Sequence, residues 1–199
     1  MFGDAMQYAG LLFIVGLALV VIFVARKRKV PVALIDAHRF GILNPKAGAA
    51  APIVAEDTAA LTAVLGPPVQ ASGTPPQCDV LFLYCDIAPD GRIQGSNSGL
   101  REIIRDSGAS VVVVASENGG DSYVAAGKKR EYGRANLVLT MQRRGQVFPA
   151  FFARLFSDMK KGVSMPVAWS KLAPQIPGHE HADCPATIFV CERGQIAFR

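Results

Sequence analysis

Histidine is scarce in this chain: 199 residues contain only His38, His179 and His181. Any reaction needing an imidazole base must use one of those three. The phosphate-binding strings are missing too, with no GxxxxGK(S/T) and no GxGxxG after a strand. That argues against nucleotide-driven chemistry, and no cofactor is expected. Zinc-type cysteine spacing is absent: Cys78 and Cys85, like Cys184 and Cys191, are seven positions apart, a pattern of no familiar metal site. The four read as reduced thiols at small core positions, and an odd separation on a strand sends Cys78 and Cys85 to opposite faces. No internal repeat is visible.

A strong charge is lacking over most of the chain as well. The formal net charge is +5, but removing Arg26, Lys27, Arg28, Lys29 and Asp4 leaves 17 basic and 15 acidic residues. A remainder near neutrality carries no nucleic-acid footprint, so no nucleic-acid partner is expected.

What is present is an unbroken apolar run, Tyr8 to Ala25, followed at once by that four-cation block. Eighteen residues rising about 1.5 Å each cover about 27 Å, close to the hydrocarbon thickness of a bilayer. Only a helix satisfies the backbone of one such segment in lipid. A cleaved leader would carry its cations before the apolar stretch, not after it. The expected organisation is a leader over 1–7, a membrane-spanning helix over 8–25, a stop-transfer block over 26–29 and one domain over 30–199. The positive-inside rule puts the N-terminus outside and 30–199 in the cytoplasm, with residues 8–29 meeting membrane lipid.

Along the remaining 170 residues, apolar β-branched runs alternate with helical patterns. Strands are predicted at 30–38, 79–87, 110–115, 135–142 and 186–191, and an apolar Ile-Ala-Phe follows the last. Helices are predicted at 56–65, 99–108, 122–133, 148–162 and 164–175. Residues 41–53 and 67–77, rich in Gly, Pro and Ala, read as loops. Continuous runs such as VVVV mark strands covered on both faces. The fold class is therefore α/β, a three-layer sandwich with a mostly parallel sheet.

In such a sheet functional groups gather at the carboxyl ends of strands. Those ends fall at Asp36-Ala37-His38, Cys85-Asp86, Ser116-Glu117-Asn118 and Met141-Gln142. Ser116 follows the valine strand, and Gly119-Gly120 permits close backbone approach to a ligand or a sharp turn. A serine or cysteine nucleophile needs an oriented base. His38 is the candidate that could share an edge with Ser116 or Cys85, against the plainer reading of a surface residue in a turn. HEHADC (179–184) supplies His179, His181, Asp183 and Cys184. An H-x-H pair still needs two further well-placed ligands, so no metal is expected.

Several strings resemble the caspase-like fold, specifically CHAT domains, over residues 30–198. LVLTMQ (137–142), FPAFFARLFSDMKKG (148–162), SMPVAW (164–169) and CPATIFVCERGQIAF (184–198) follow the order of that family's second half. The resemblance implies a histidine near Cys85-Asp86 and a cysteine at Ser116, where ASENG is similar to the family's Ala-Cys-Glu-Ser-Gly. Neither residue is present. It therefore implies a degenerate domain held at the membrane, with Asp86, Ser116, Glu117, Asn118, Gly119 and Gly120 forming a protein-binding edge.

The chain is also similar to membrane-anchored serine proteases of the Clp and signal-peptide-peptidase type, through VPVALIDAHRFGIL, IVAEDTAALTAVL, CDVLFLYCDIAPDG and ENGGDSYVAAG. That alignment implies a nucleophile at Asn118 and a histidine at Met141, again both missing. Three function classes follow: a membrane-tethered binding module; an active hydrolase using Ser116, or Cys85 with His38; and a small-ligand or metal sensor.

Overall fold

A computed structural model describes residues 31–45, 51–69, 71, 74–88, 90, 92–94, 96, 98–115, 135–142, 145–173 and 186–199. A compact unit spans Val32–Arg199. The apolar run Tyr8–Ala25 and the predicted helix 122–133 lie outside the described residues. Among the described residues no helix is long and apolar enough to cross a membrane.

Eight strands and four helices are described: β1 (Ala33–Ile35), β2 (Phe40–Leu43), α1 (Ala51–Leu65), β3 (Pro68–Val69), β4 (Val80–Leu83), α2 (Leu100–Ser107), β5 (Val111–Val114), β6 (Asn136–Gln142), α3 (Val147–Lys160), α4 (Met165–Leu172), β7 (Ala186–Cys191) and β8 (Ile196–Phe198). Six of the strands form one sheet in the order β3-β2-β4-β5-β6-β7, and β1 pairs separately with β8. All neighbours in the large sheet are parallel except β6 and β7. The α/β class with a mostly parallel sheet is thus observed.

Alternation along the buried strands sorts side chains onto two faces. Val80, Phe82, Val111, Val113 and Val138 join Leu61 and Leu65 of α1 and the phenylalanines of α3. Leu81, Leu83, Val112, Val114, Leu137 and Leu139 join Leu100, Ile103 and Ile104 of α2. The first face is the aromatic one. Phe82 meets Phe40, Phe148, Phe152 and Phe156 edge-on at centroid distances of 5.7 to 6.3 Å, pairs each worth about 0.5–1.5 kcal/mol beyond their buried area. Phe156 also tilts against Phe198 of β8 at 5.7 Å, fastening the small sheet to the same core.

Helix ends follow the sequence signals. The Glu102 carboxylate accepts the Gly99 N–H at 3.1 Å, capping α2 at its start. Gly108 closes that helix with φ of 66°, a left-handed conformation natural to glycine. Buried Asn136 ties the turn between β7 and β8. Its amide donates to the Gly194 carbonyl at 3.0 Å and its oxygen accepts the Arg193 N–H at 2.9 Å.

Four expectations need correction. The loop predicted at 67–77 includes strand β3, Pro68–Val69, paired with β2. The single strand predicted at 30–38 is instead β1, a short and mostly exposed strand paired with β8, followed by a break. The loop predicted at 41–53 contains most of β2, a full member of the main sheet, and the first turn of α1. Parallel neighbours on both sides make Phe40–Leu43 a strand despite Gly41, whose missing side chain is needed there. A Cβ at Gly41 would lie 2.6 Å from Pro76 Cγ and 2.8 Å from Cys78 Sγ. Finally, Cys78 and Cys85 both belong to the α2-side cluster rather than to opposite faces. Both sit beyond the ends of β4, where strand alternation no longer applies.

Candidate functional site at the carboxyl edge of the main sheet

The strand order reverses between β2 and β4. From β2 the chain passes through α1 to β3 on one side of the sheet, whereas from β4 it passes through α2 to β5 on the other. α1 and α2 occupy opposite faces. In open α/β sheets this divergence, beyond the carboxyl ends of the two strands, is where ligands are held.

The residues brought to that edge are Asn44, Tyr84, Cys85, Asp86 and Ala115. Tyr84 N donates to the Leu43 carbonyl at 2.9 Å and Ala115 N to the Leu83 carbonyl at 2.8 Å, so the three strand ends stay in step. Asp86 is half-buried, and its carbonyl accepts the Gln94 N–H at 3.0 Å. A short arm follows, drawn together by bridges between Ile87 and Ile93 and between Arg92 and Gly99. Buried Ile87 and Ile93 anchor the arm in the α2-side cluster.

Tyr84 and Asp57 supply a polar contact that the sequence reading missed. The Tyr84 hydroxyl donates to Asp57 Oδ2 at 2.9 Å, and the two side chains are 4% and 0% exposed. The signal was available: Asp57 stands four and eight positions before Leu61 and Leu65, within the stripe that α1 buries.

The predicted candidates fare differently. Cys85 is at the expected edge, but it is 3% exposed and sits among apolar side chains. His38 is not at that edge. It precedes β2 at the amino end of the sheet, since Phe40 pairs with Val80 and Leu43 with Leu83. Crossing from the start of β4 to Cys85 takes five residues, about 16 Å at strand rise. His38 and Cys85 are therefore not a dyad, because the strand predicted to carry His38 forward ends at Ile35 and belongs to the small sheet. The His38 side chain is 75% exposed with Nε2 3.7 Å from Asp36 Oδ1, the surface position of the plainer reading. Ser116, Glu117, Asn118, Gly119 and Gly120 lie outside the described residues, as do His179, His181, Asp183 and Cys184.

The other cysteines give little reactivity. Burial pushes the Cys78 thiol up to about 12, with the neighbouring Asp79 charge adding to it. Cys191 is exposed on β7, with its thiol also raised, first by partial burial. Among the described residues no group of three or more His, Cys, Asp or Glu side chains is placed to hold a metal ion.

No family model, no curated protein and no solved structure matches this chain.

Proposed function

We propose that residues 30–199 form a caspase-like module of the CHAT type without peptidase activity, held at the cytoplasmic face of a membrane by residues 8–29. Its work is to bind a protein partner along the carboxyl edge of the main sheet, through Asp86 and the following Ser116–Gly120 segment. The observation that carries this reading is the separation of His38 from Cys85. The Cys85 thiol is sunk in an apolar cluster, and His38 stands at the opposite end of the sheet. A nucleophile and base must lie within hydrogen-bond reach, and these two do not. The mostly parallel sheet with helices on both faces agrees with the resemblance at the level of fold class.

The test is made on the full chain in lipid nanodiscs, with a fluorophosphonate probe, a thiol-directed peptidase probe and a mixed peptide library. No cleavage and no activity-dependent labelling is the expected result. Peptide cleavage lost in Ser116→Ala or in Cys85→Ala would overturn the reading. Alkaline carbonate extraction is expected to leave the protein in the membrane pellet, and release into the supernatant would remove the anchor from the proposal.

A second reading, a small-ligand sensor, is favoured by the strand-order reversal between β2 and β4. Saturable stabilisation by a small metabolite, lost in Asp86→Lys, would place that reading first.

A further inference from the structure

Four large apolar side chains are exposed among the described residues, and two of them, Val32 at 44% and Leu34 at 57%, are neighbours at β1. Val32 immediately precedes β1 and Leu34 lies in its middle, with Ala33 between them exposed as well. Ile35 packs against the aromatic core. The ladder to β8 holds the strand: Ala33 N donates to the Gln195 carbonyl at 2.8 Å and Arg199 N to the Ile35 carbonyl at 3.2 Å. Val32 and Leu34 therefore present an apolar pair to the outside, next to a strand that β8 holds in place.

The chain itself says what covers them. Lys29, the last of the four cations, is three residues before Val32, a reach of at most about 11 Å even when fully extended. Cations 26–29 follow the apolar run without a gap, and anionic headgroups attract such a block within about a Debye length of 8–10 Å. The charged residues that follow β1 in sequence are themselves paired. Asp36, the carboxylate closest in sequence, is held by Arg199 at 2.5 and 2.8 Å. Asp79 faces Arg39 at 3.5 Å, while His38 and Arg39 are exposed. No carboxylate among these is left without a cation to repel an anionic layer.

We infer that Val32 and Leu34 form an apolar foot that enters the headgroup region of the bilayer. This rests on the reading of residues 8–25 as a membrane span.

The experiment uses the full chain in nanodiscs with Cys184→Ser and Cys191→Ser, leaving Cys78 and Cys85, which are 2% and 3% exposed. A nitroxide is attached in turn at Gly16→Cys, Leu34→Cys and Ile53→Cys, and its collisions with oxygen and with an aqueous nickel chelate are compared. The expected pattern is lipid-like at 16, interfacial at 34 with an oxygen-to-nickel ratio several-fold above that at 53, and aqueous at 53 on α1. A lipid-like 16 with 34 as aqueous as 53 overturns the foot and leaves the span. An aqueous 16 overturns the span and the foot together. A label at 34 shielded from both quenchers means that a second copy covers the strand, which also overturns the inference.

Discussion

The Tyr84 hydroxyl hydrogen-bonds to the carboxyl group of Asp57 at 2.9 Å, and neither side chain has meaningful access to solvent. The contact joins the residue after β4 to the second turn of α1, on the aromatic side of the sheet at its carboxyl edge.

Tyr84→Phe keeps the ring and removes the donor, leaving a buried carboxyl oxygen with one partner fewer. The expected loss is about 1–3 kcal/mol in urea unfolding. An unchanged midpoint would mean that water or another group replaces the hydroxyl at no cost.

Gly41→Ala places a methyl group within 3 Å of Pro76 and Cys78. The loop before β4 must shift to receive it, and overpacking of this kind costs about 1–3 kcal/mol. Thermal unfolding of the variant, compared with an exposed Gly→Ala control at a permissive φ, reads the difference.

The Cys78 thiol, moved from an ordinary 9.0 up to about 12, makes stability fall at high pH. Above the unfolded value the unfolded chain releases this proton and the folded chain keeps it, so the unfolded state binds fewer protons. The unfolding free energy then declines between pH 9 and about 12, by up to about 1.4 kcal/mol per pH unit for one thiol. Cys78→Ala should flatten that slope relative to the parent. In native protein at pH 8 a disulfide reagent should modify Cys191 first and leave Cys78 untouched until unfolding.

Arg199 holds the Asp36 carboxyl below its usual value, chiefly by direct hydrogen bonding. A depressed carboxylate contributes stability at neutral pH that is lost as pH falls through its folded value. In Arg199→Ala the Asp36 titration, followed by carboxyl NMR, should move up toward the ordinary value. High salt should shrink the difference, because the pair is exposed.

The elements that were legible in the sequence are those whose burial is nearly complete. VLFL, VVVV and NLVLT read as strands because these positions, on both faces, are covered. The phenylalanine helix announced itself through the spacing of Phe148, Phe152, Phe156 and Met159. At the candidate site, the carboxyl-edge positions of Cys85 and Asp86 were readable, since they follow from the end of an unmistakable strand. The place of His38 was not, because it depends on a break between β1 and β2 that no local pattern marks.

By itself, then, the order of apolar runs and breakers determined an α/β chain with a mostly parallel sheet. Tertiary structure alone decided that Phe40–Leu43 is a strand, that β1 leaves the main sheet to pair with β8, and that Asp57 lies inside. The physical reason is that periodicity records how much of a segment is hidden from water. It does not record which backbone lies alongside, and a short glycine-containing segment becomes a strand only when neighbours on both sides take up its hydrogen bonds.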